Sequence, residues 1–214
     1  MTDEELIGRK TIDASKLPST LFDYNEPIWW GNALLLMIET TMFGILVAVY
    51  FSVWMNLSPF PPPLVDRFPV IYNPVPDLTV PTINLIVLLV SLIPGILLDL
   101  SARKKDEAKV KIFLIITLLF NIAAIVLRFY EFDSLYFKWD DNAYGSITWM
   151  ILGTHLLHLF VMCAEDVFLL SWTIAEGLDE KHALDITVTA VYWYWIVGIW
   201  VFLYGLVYLA PRFL

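Results

Sequence analysis

PTINLIVLLVSLIPGILLDL, residues 81–100, is a run of twenty almost wholly apolar residues. The hydrocarbon core of a bilayer is roughly 30 Å thick and a helix rises about 1.5 Å per residue, so about 20 apolar residues cross it. Four more apolar runs accompany this one, near 28–55, 110–130, 144–172 and 189–209. Lipid offers the backbone no hydrogen-bond partners, so each run is predicted to be an α-helix. The alternating pattern of a membrane barrel is absent. The expected fold is all-α: an integral membrane bundle of five transmembrane helices over 28–214. A polar, Pro-containing arm over 1–27 precedes it.

Composition agrees. The 214 residues are 59% hydrophobic and 15% aromatic, with a mean hydropathy of +0.70, whereas soluble domains are nearer half apolar. The formal net charge of −9 argues against nucleic acid, which needs clustered Lys and Arg. The single cysteine, Cys163, excludes an intrachain disulfide and any multi-cysteine metal site. No basic–apolar–small cleavage pattern opens the sequence, so a removable signal peptide is not expected.

Lys and Arg set the orientation. With the N-terminus inside, the inner side holds Arg9, Lys10, Lys16, Arg103, Lys104, Lys105, Lys109, Lys111 and Lys181. The outer side holds Arg67, Arg128, Lys138 and Arg212. Nine against four favours N-terminus inside and C-terminus outside. The loop 56–80 carries seven prolines and cannot be a regular helix. It reads as a stiff outer spacer or as a docking surface, since long loops in compact proteins commonly have a role.

Ionisable groups deep in a bilayer are costly, by about 2.5–3.5 kcal/mol on insertion scales, and usually face protein or water. Glu39 lies in the first run, Arg128 and Glu131 at the end of the third, and His155, His158, Glu165 and Asp166 in the fourth. At about 100° per residue the last four fall within an arc of about 100°. Glu39 shares its face with Asn32, Phe43, Leu46 and Tyr50. Three roles are open to these groups. Haem or di-iron ligation is disfavoured, because the only other histidine is His182 and no Glu-x-x-His occurs. Proton transfer and structural pairing between helices remain, and pairing is the simpler. The aromatic run Tyr192 to Trp195, with Trp200, Tyr204 and Tyr208, fits packing and interfacial anchoring better than a quinone site.

The chain resembles subunit III of haem–copper terminal oxidases over about residues 29–210. MIETTMFG places Glu39 at the family's membrane-buried glutamate. PTINLIVLLVS, with Asn84, resembles the Pro-x-x-Asn-Thr opening of the next helix, and LRFYEF places Glu131 at the Gln-x-x-Glu-Tyr acid. DNAYGSITWMILGTHLLH matches at Asp141, Tyr144, Gly145, Ser146, Gly153, His155 and His158. AVYWYWIVGIW matches at Ala190, Tyr192, Trp193 and Trp200.

The resemblance implies an accessory subunit without redox centres of its own. Such a subunit packs on the catalytic subunit I, which with its partners carries haem and copper. It also implies bound phospholipid and support of proton uptake, with Glu39, Glu131, His155 and His158 at family positions; Glu165 and Asp166 join them in the expected buried polar network by their place on the fourth run. No metal ligand is expected in this chain, and neither cytochrome c nor quinol is singled out as donor. An accessory role in nitric oxide reduction also stays open. There are departures from the pattern: Tyr194 replaces a histidine, Val197 an aspartate and Met162 a glycine, while Glu165 and Asp166 are added acids. An autonomous proton-coupled transporter is the alternative of a different class, although no internal inverted repeat is visible.

Overall fold

The computed structural model describes residues 26–66 and 68–213. The arm read over 1–27 lies outside them except for its last two residues. Five helices follow in order: α1 (Pro27–Asn56), α2 (Thr79–Arg103), α3 (Glu107–Asp133), α4 (Ala143–Ala175) and α5 (Glu180–Tyr204). A π-helical turn, Gly205–Leu209, and a 3-10 turn, Ala210–Arg212, continue α5. All five spans are long and apolar enough to cross a membrane, as the sequence predicts.

The helix starts have local causes. Pro27 occupies the first turn of α1, where a missing N–H costs nothing. Side chains of Asp106, Asn142 and Asp179 cap α3, α4 and α5 by accepting the N–H groups of Lys109, Gly145 and His182. That last cap explains the one displaced boundary. Helix α5 begins at Glu180 rather than near 189, because its first turns are charged and escape an apolar reading. Stacking of His182 on Trp172, centroids 4.5 Å apart, secures them against the end of α4.

Helix α2 packs along α3 and α5, and α3 along α4, while α1 lies against α4 and α5. The main core joins Phe43 and Tyr50 of α1 to Leu88, Ala124, Tyr144, Ile151, Trp193 and Trp200. A smaller core of Leu98, Ala102, Val110, Leu114, Leu169 and Ile186 fills the end where α1 and α5 begin. Large apolar side chains also cover the outside, among them Met37, Ile38, Leu119, Leu157 and Phe168. A bilayer rather than water accounts for such a surface.

The Pro-rich segment folds back over the opposite end of the bundle. Leu64 and Ile71 pair through two backbone hydrogen bonds, of 2.8 and 3.2 Å. Phe60 packs edge-on against Tyr50 and Tyr144. Arg212 donates to the Pro76 carbonyl at 2.6 Å, tying the last turn to this loop.

Candidate functional site

The ionisable groups that the sequence singles out in the spans fall into three separate sites rather than one network. The first joins α3, α4 and α5. Arg128 and Glu131, three residues apart on one face of α3, form a fully buried ion pair. The guanidinium also lies over the Trp200 ring, 3.5 Å from its centroid. Its Nη2 is 3.1 Å from His155 Nδ1, and His155 Nε2 is 3.2 Å from the Ile196 carbonyl. Asn84 of α2 is wholly buried beside Glu131 but outside hydrogen-bonding geometry. Arg128 therefore does not belong with the outer surface cations. It sits inside the bundle with its own counter-ion.

The second site joins α1 and α4. His158 Nδ1 donates to the Thr154 carbonyl at 2.7 Å, and its Nε2 is 3.1 Å from Glu39 Oε2. With Nδ1 committed as donor, the Nε2–Oε2 contact holds one proton, whichever partner carries it. Phe43 packs on the imidazole at 5.2 Å, and Trp195 donates its N–H to Thr40 at 2.9 Å, fixing α1 beside the pair. The pair borders a groove of about 350 Å³. This shares Leu35, Val161, Glu165 and Tyr192 with a larger groove of about 690 Å³. The larger groove runs to the end where α1 and α5 begin, and its charged walls are Glu165 and Asp185.

The third site is Asp166, buried about 100° around α4 from Glu165, which faces the groove. It borders a small cavity with Thr117, Thr189 and Trp193. Four groups sharing one arc of α4 thus meet three sets of neighbours.

Both nitrogens of His155 and of His158 are hydrogen-bonded. Among the described residues no three His, Cys, Asp or Glu side chains gather to hold a metal ion.

The remaining motif residues build the scaffold. Asp141 accepts the Lys138 N–H at 2.7 Å, and Ser146 donates to the Trp139 carbonyl at 2.6 Å. Together they shape the turn into α4. A Cβ on Gly145 would overlap the Lys138 carbonyl, whereas one on Gly153 would meet nothing. Tyr144 joins Tyr50, Phe60 and Phe137 in an aromatic seal. Trp193 donates to Ser91 at 3.1 Å, Tyr192 stacks on Trp195, and Trp200 carries Arg128. Sequence reading names Arg128 with Glu131 among the ionisable groups but counts it as an outer cation and leaves it out of the buried polar residues, although its spacing from Glu131 was a signal. It also missed Asp185, whose place in the groove only the fold reveals.

Five spans with ionisable groups engaged between helices define a multi-pass helical membrane protein. Comparison with known proteins gives the particular kind: the chain belongs to the cytochrome c oxidase subunit III family, whose model matches residues 19–211. It is 27% identical to cytochrome c oxidase subunit 3 of Bacillus subtilis (strain 168) over 213 residues, covering 98% of each chain. It is 28% identical to cytochrome c oxidase subunit 3 of Pongo pygmaeus over 180 residues, 84% of this chain and 68% of that one. It is 26% identical to cytochrome bo(3) ubiquinol oxidase subunit 3 of Buchnera aphidicola subsp. Acyrthosiphon pisum (strain APS) over 183 residues, 84% of this chain and 85% of that one. Relatives named for either electron donor therefore match about equally well.

Proposed function

We propose that this chain is the accessory subunit of a proton-pumping haem–copper oxidase in a bacterial inner membrane. It packs against the catalytic subunit I, holds phospholipid, and supports proton uptake from the inner side. Haem and copper belong to the partner subunits. Its N-terminus is inside and its C-terminus outside. The cations Arg103, Lys104, Lys105, Lys109, Lys111 and Lys181, all near the end where α1 and α5 begin, support that orientation.

The observation that carries the proton reading is the groove. Asp185, Glu165 and Glu39 line two adjoining apolar-walled grooves, which share Glu165 and lead from the cationic end to the His158–Glu39 pair midway along α1 and α4. Carboxylates spaced along a membrane groove offer successive places for a proton, and chains of such groups mark proton paths. The apolar walls suit acyl chains, so lipid and proton traffic share the same surface.

Glu39→Gln tests this. The variant keeps the size of the side chain and its contact with His158 but cannot exchange a proton. The complex is expected to assemble with subunit I and start at normal rate. It then loses activity during turnover faster than wild type, most of all at high pH, where protons are scarce. Equal lifetimes at every pH would refute the proton role. Failure of subunit I to co-purify with wild-type chain would refute the accessory role.

A further inference from the structure

Asp166 is the buried acid that none of the interactions above uses. It is 1% exposed, and neither carboxyl oxygen has a hydrogen-bond partner. Its neighbour Asn121 on α3 spends its oxygen and one of its two amide protons on the α4 backbone. With its amide oriented to satisfy both ends, Asn121 donates to the Leu159 carbonyl at 3.3 Å and accepts the Cys163 N–H at 2.8 Å. Those are two groups that an unbroken α4 pairs with each other. Thr117 spends its hydroxyl proton on the carbonyls of Phe113 and Leu114, each 3.0 Å away, which leaves its oxygen able to accept.

Between these side chains lies a cavity of about 10 Å³, lined by Asp166, Thr117, Gly95, Met162, Thr189 and Trp193. One water needs roughly that much room, together with two to four polar partners. No Lys, Arg or His lines the cavity, and the nearest acid, Glu165, is the preceding residue on α4 and opens to the groove instead. From α3 the facing polar groups are Thr117 and Asn121, from α5 Thr189 and Trp193, and α2 contributes only Gly95 and Leu98. An ionised carboxylate placed there has no counter-ion, and neither of its oxygens has a hydrogen-bond partner, a costly arrangement.

We propose that Asp166 is a proton-binding site, whose neutral carboxyl donates to a single water held in this cavity. The Thr117 hydroxyl oxygen accepts from that water. The bundle thereby stores one exchangeable proton in its interior, away from the groove of Glu39. The proposal concerns the carboxyl itself and stands whichever way the Glu39 experiment falls.

Infrared difference spectra of the purified complex, titrated with pH in H2O and in D2O, decide it. Wild type is expected to show a carboxylic acid C=O band that moves in D2O and is lost in Asp166→Asn but kept in Glu165→Gln. If Asp166→Asn does not assemble, Asp166→Glu keeps the acid and shifts the band instead. Loss of an ionised carboxylate band in place of the acid band overturns the proposal. So does a wild-type spectrum unchanged by either Asp166 variant. A band that appears only when sodium is replaced by a bulky organic cation also overturns it, assigning the cavity to a metal cation. A density map of the complex that resolves waters is expected to show one beside Asp166, and an empty cavity overturns the proposal.

Discussion

Arg128 Nη2 lies 3.1 Å from His155 Nδ1, and this contact fixes the protonation of the imidazole. A guanidinium only donates, so Nδ1 accepts. The ring proton is then on Nε2, directed at the Ile196 carbonyl 3.2 Å away. His155 is a neutral bridge from α3 through α4 to α5. His155→Leu leaves the buried Arg128 Nη2–H without its imidazole acceptor, at about 1–3 kcal/mol, while the Ile196 carbonyl keeps its bond within α5. Thermal unfolding of the purified complex measures the loss, and an unchanged Tm would mean that the ring bridges nothing.

The Arg128–Glu131 pair answers to a double-mutant cycle. Removing one partner from a buried pair leaves an uncompensated charge and costs about 3–5 kcal/mol, whereas replacing both with apolar groups of similar volume is often neutral. Arg128→Met and Glu131→Leu are each expected to destabilise strongly, and the double variant to recover most of the loss. Simple additivity of the two effects would show that the charges do not depend on each other.

Two glycines of the same motif separate in behaviour. Gly145 abuts the Lys138 carbonyl where the chain turns into α4, while Gly153 has open space beside it. Gly145→Ala forces backbone to shift and is expected to cost about 1–3 kcal/mol, as overpacking does. Gly153→Ala is expected to change nothing measurable or to raise Tm slightly, since alanine is the better helix former. Matching losses at both positions would contradict this packing.

The spans were legible in the sequence because lipid leaves so few options for a backbone. The face of α1 was legible too: Asn32, Phe43 and Tyr50, placed beside Glu39 by spacing, are the buried residues of that helix. The grouping of acids and imidazoles on α4 was not. An arc of about 100° reads as one surface, but a helix with several neighbours shows each part of it to a different partner. His155 meets α3 and α5, His158 meets α1, and Glu165 and Asp166 diverge into groove and core. Arg128 was misplaced for a related reason. Near a helix end, charge counting treats a cation as surface, and only the fold brings Trp200 and His155 around it.

Asp179 gives a pH dependence outside the membrane. The His182 N–H and then its ring hold the Asp179 carboxyl below the ordinary carboxylate range. A folded-state value below the unfolded one contributes stability that is fully present above the unfolded value of about 3.9 and is lost as pH falls through the folded one. The first turn of α5 is therefore expected to loosen only in acid. Hydrogen exchange of that turn reports it. Asp179→Asn keeps a capping oxygen and should remove the acid transition. Asp179→Ala should loosen the turn at all pH values by about 0.5–2 kcal/mol. An acid transition that persists in Asp179→Asn would assign it to another group.

Attachment of α1 decides where Glu39 sits, and the structure ranks the contacts that hold it. Most of α1 faces outward, and its buried residues are Asn32, Phe43 and Tyr50. Phe43, 1% exposed, fills the space between the His158 and Trp195 rings. The hydrogen bond from Trp195 to Thr40 is a single polar contact. Between membrane helices such bonds average about 0.6 kcal/mol, because the separated helices find other partners. Emptying a packed aromatic site costs about 3–5 kcal/mol, since its neighbours cannot close the gap. Phe43→Ala is thus expected to raise exchange along α1 and to weaken the hold on Glu39. Trp195→Phe, which keeps the ring volume and loses the N–H, should leave exchange nearly unchanged. If the tryptophan variant loosens α1 as much as the alanine variant, the polar contact rather than the aromatic packing positions Glu39 against His158.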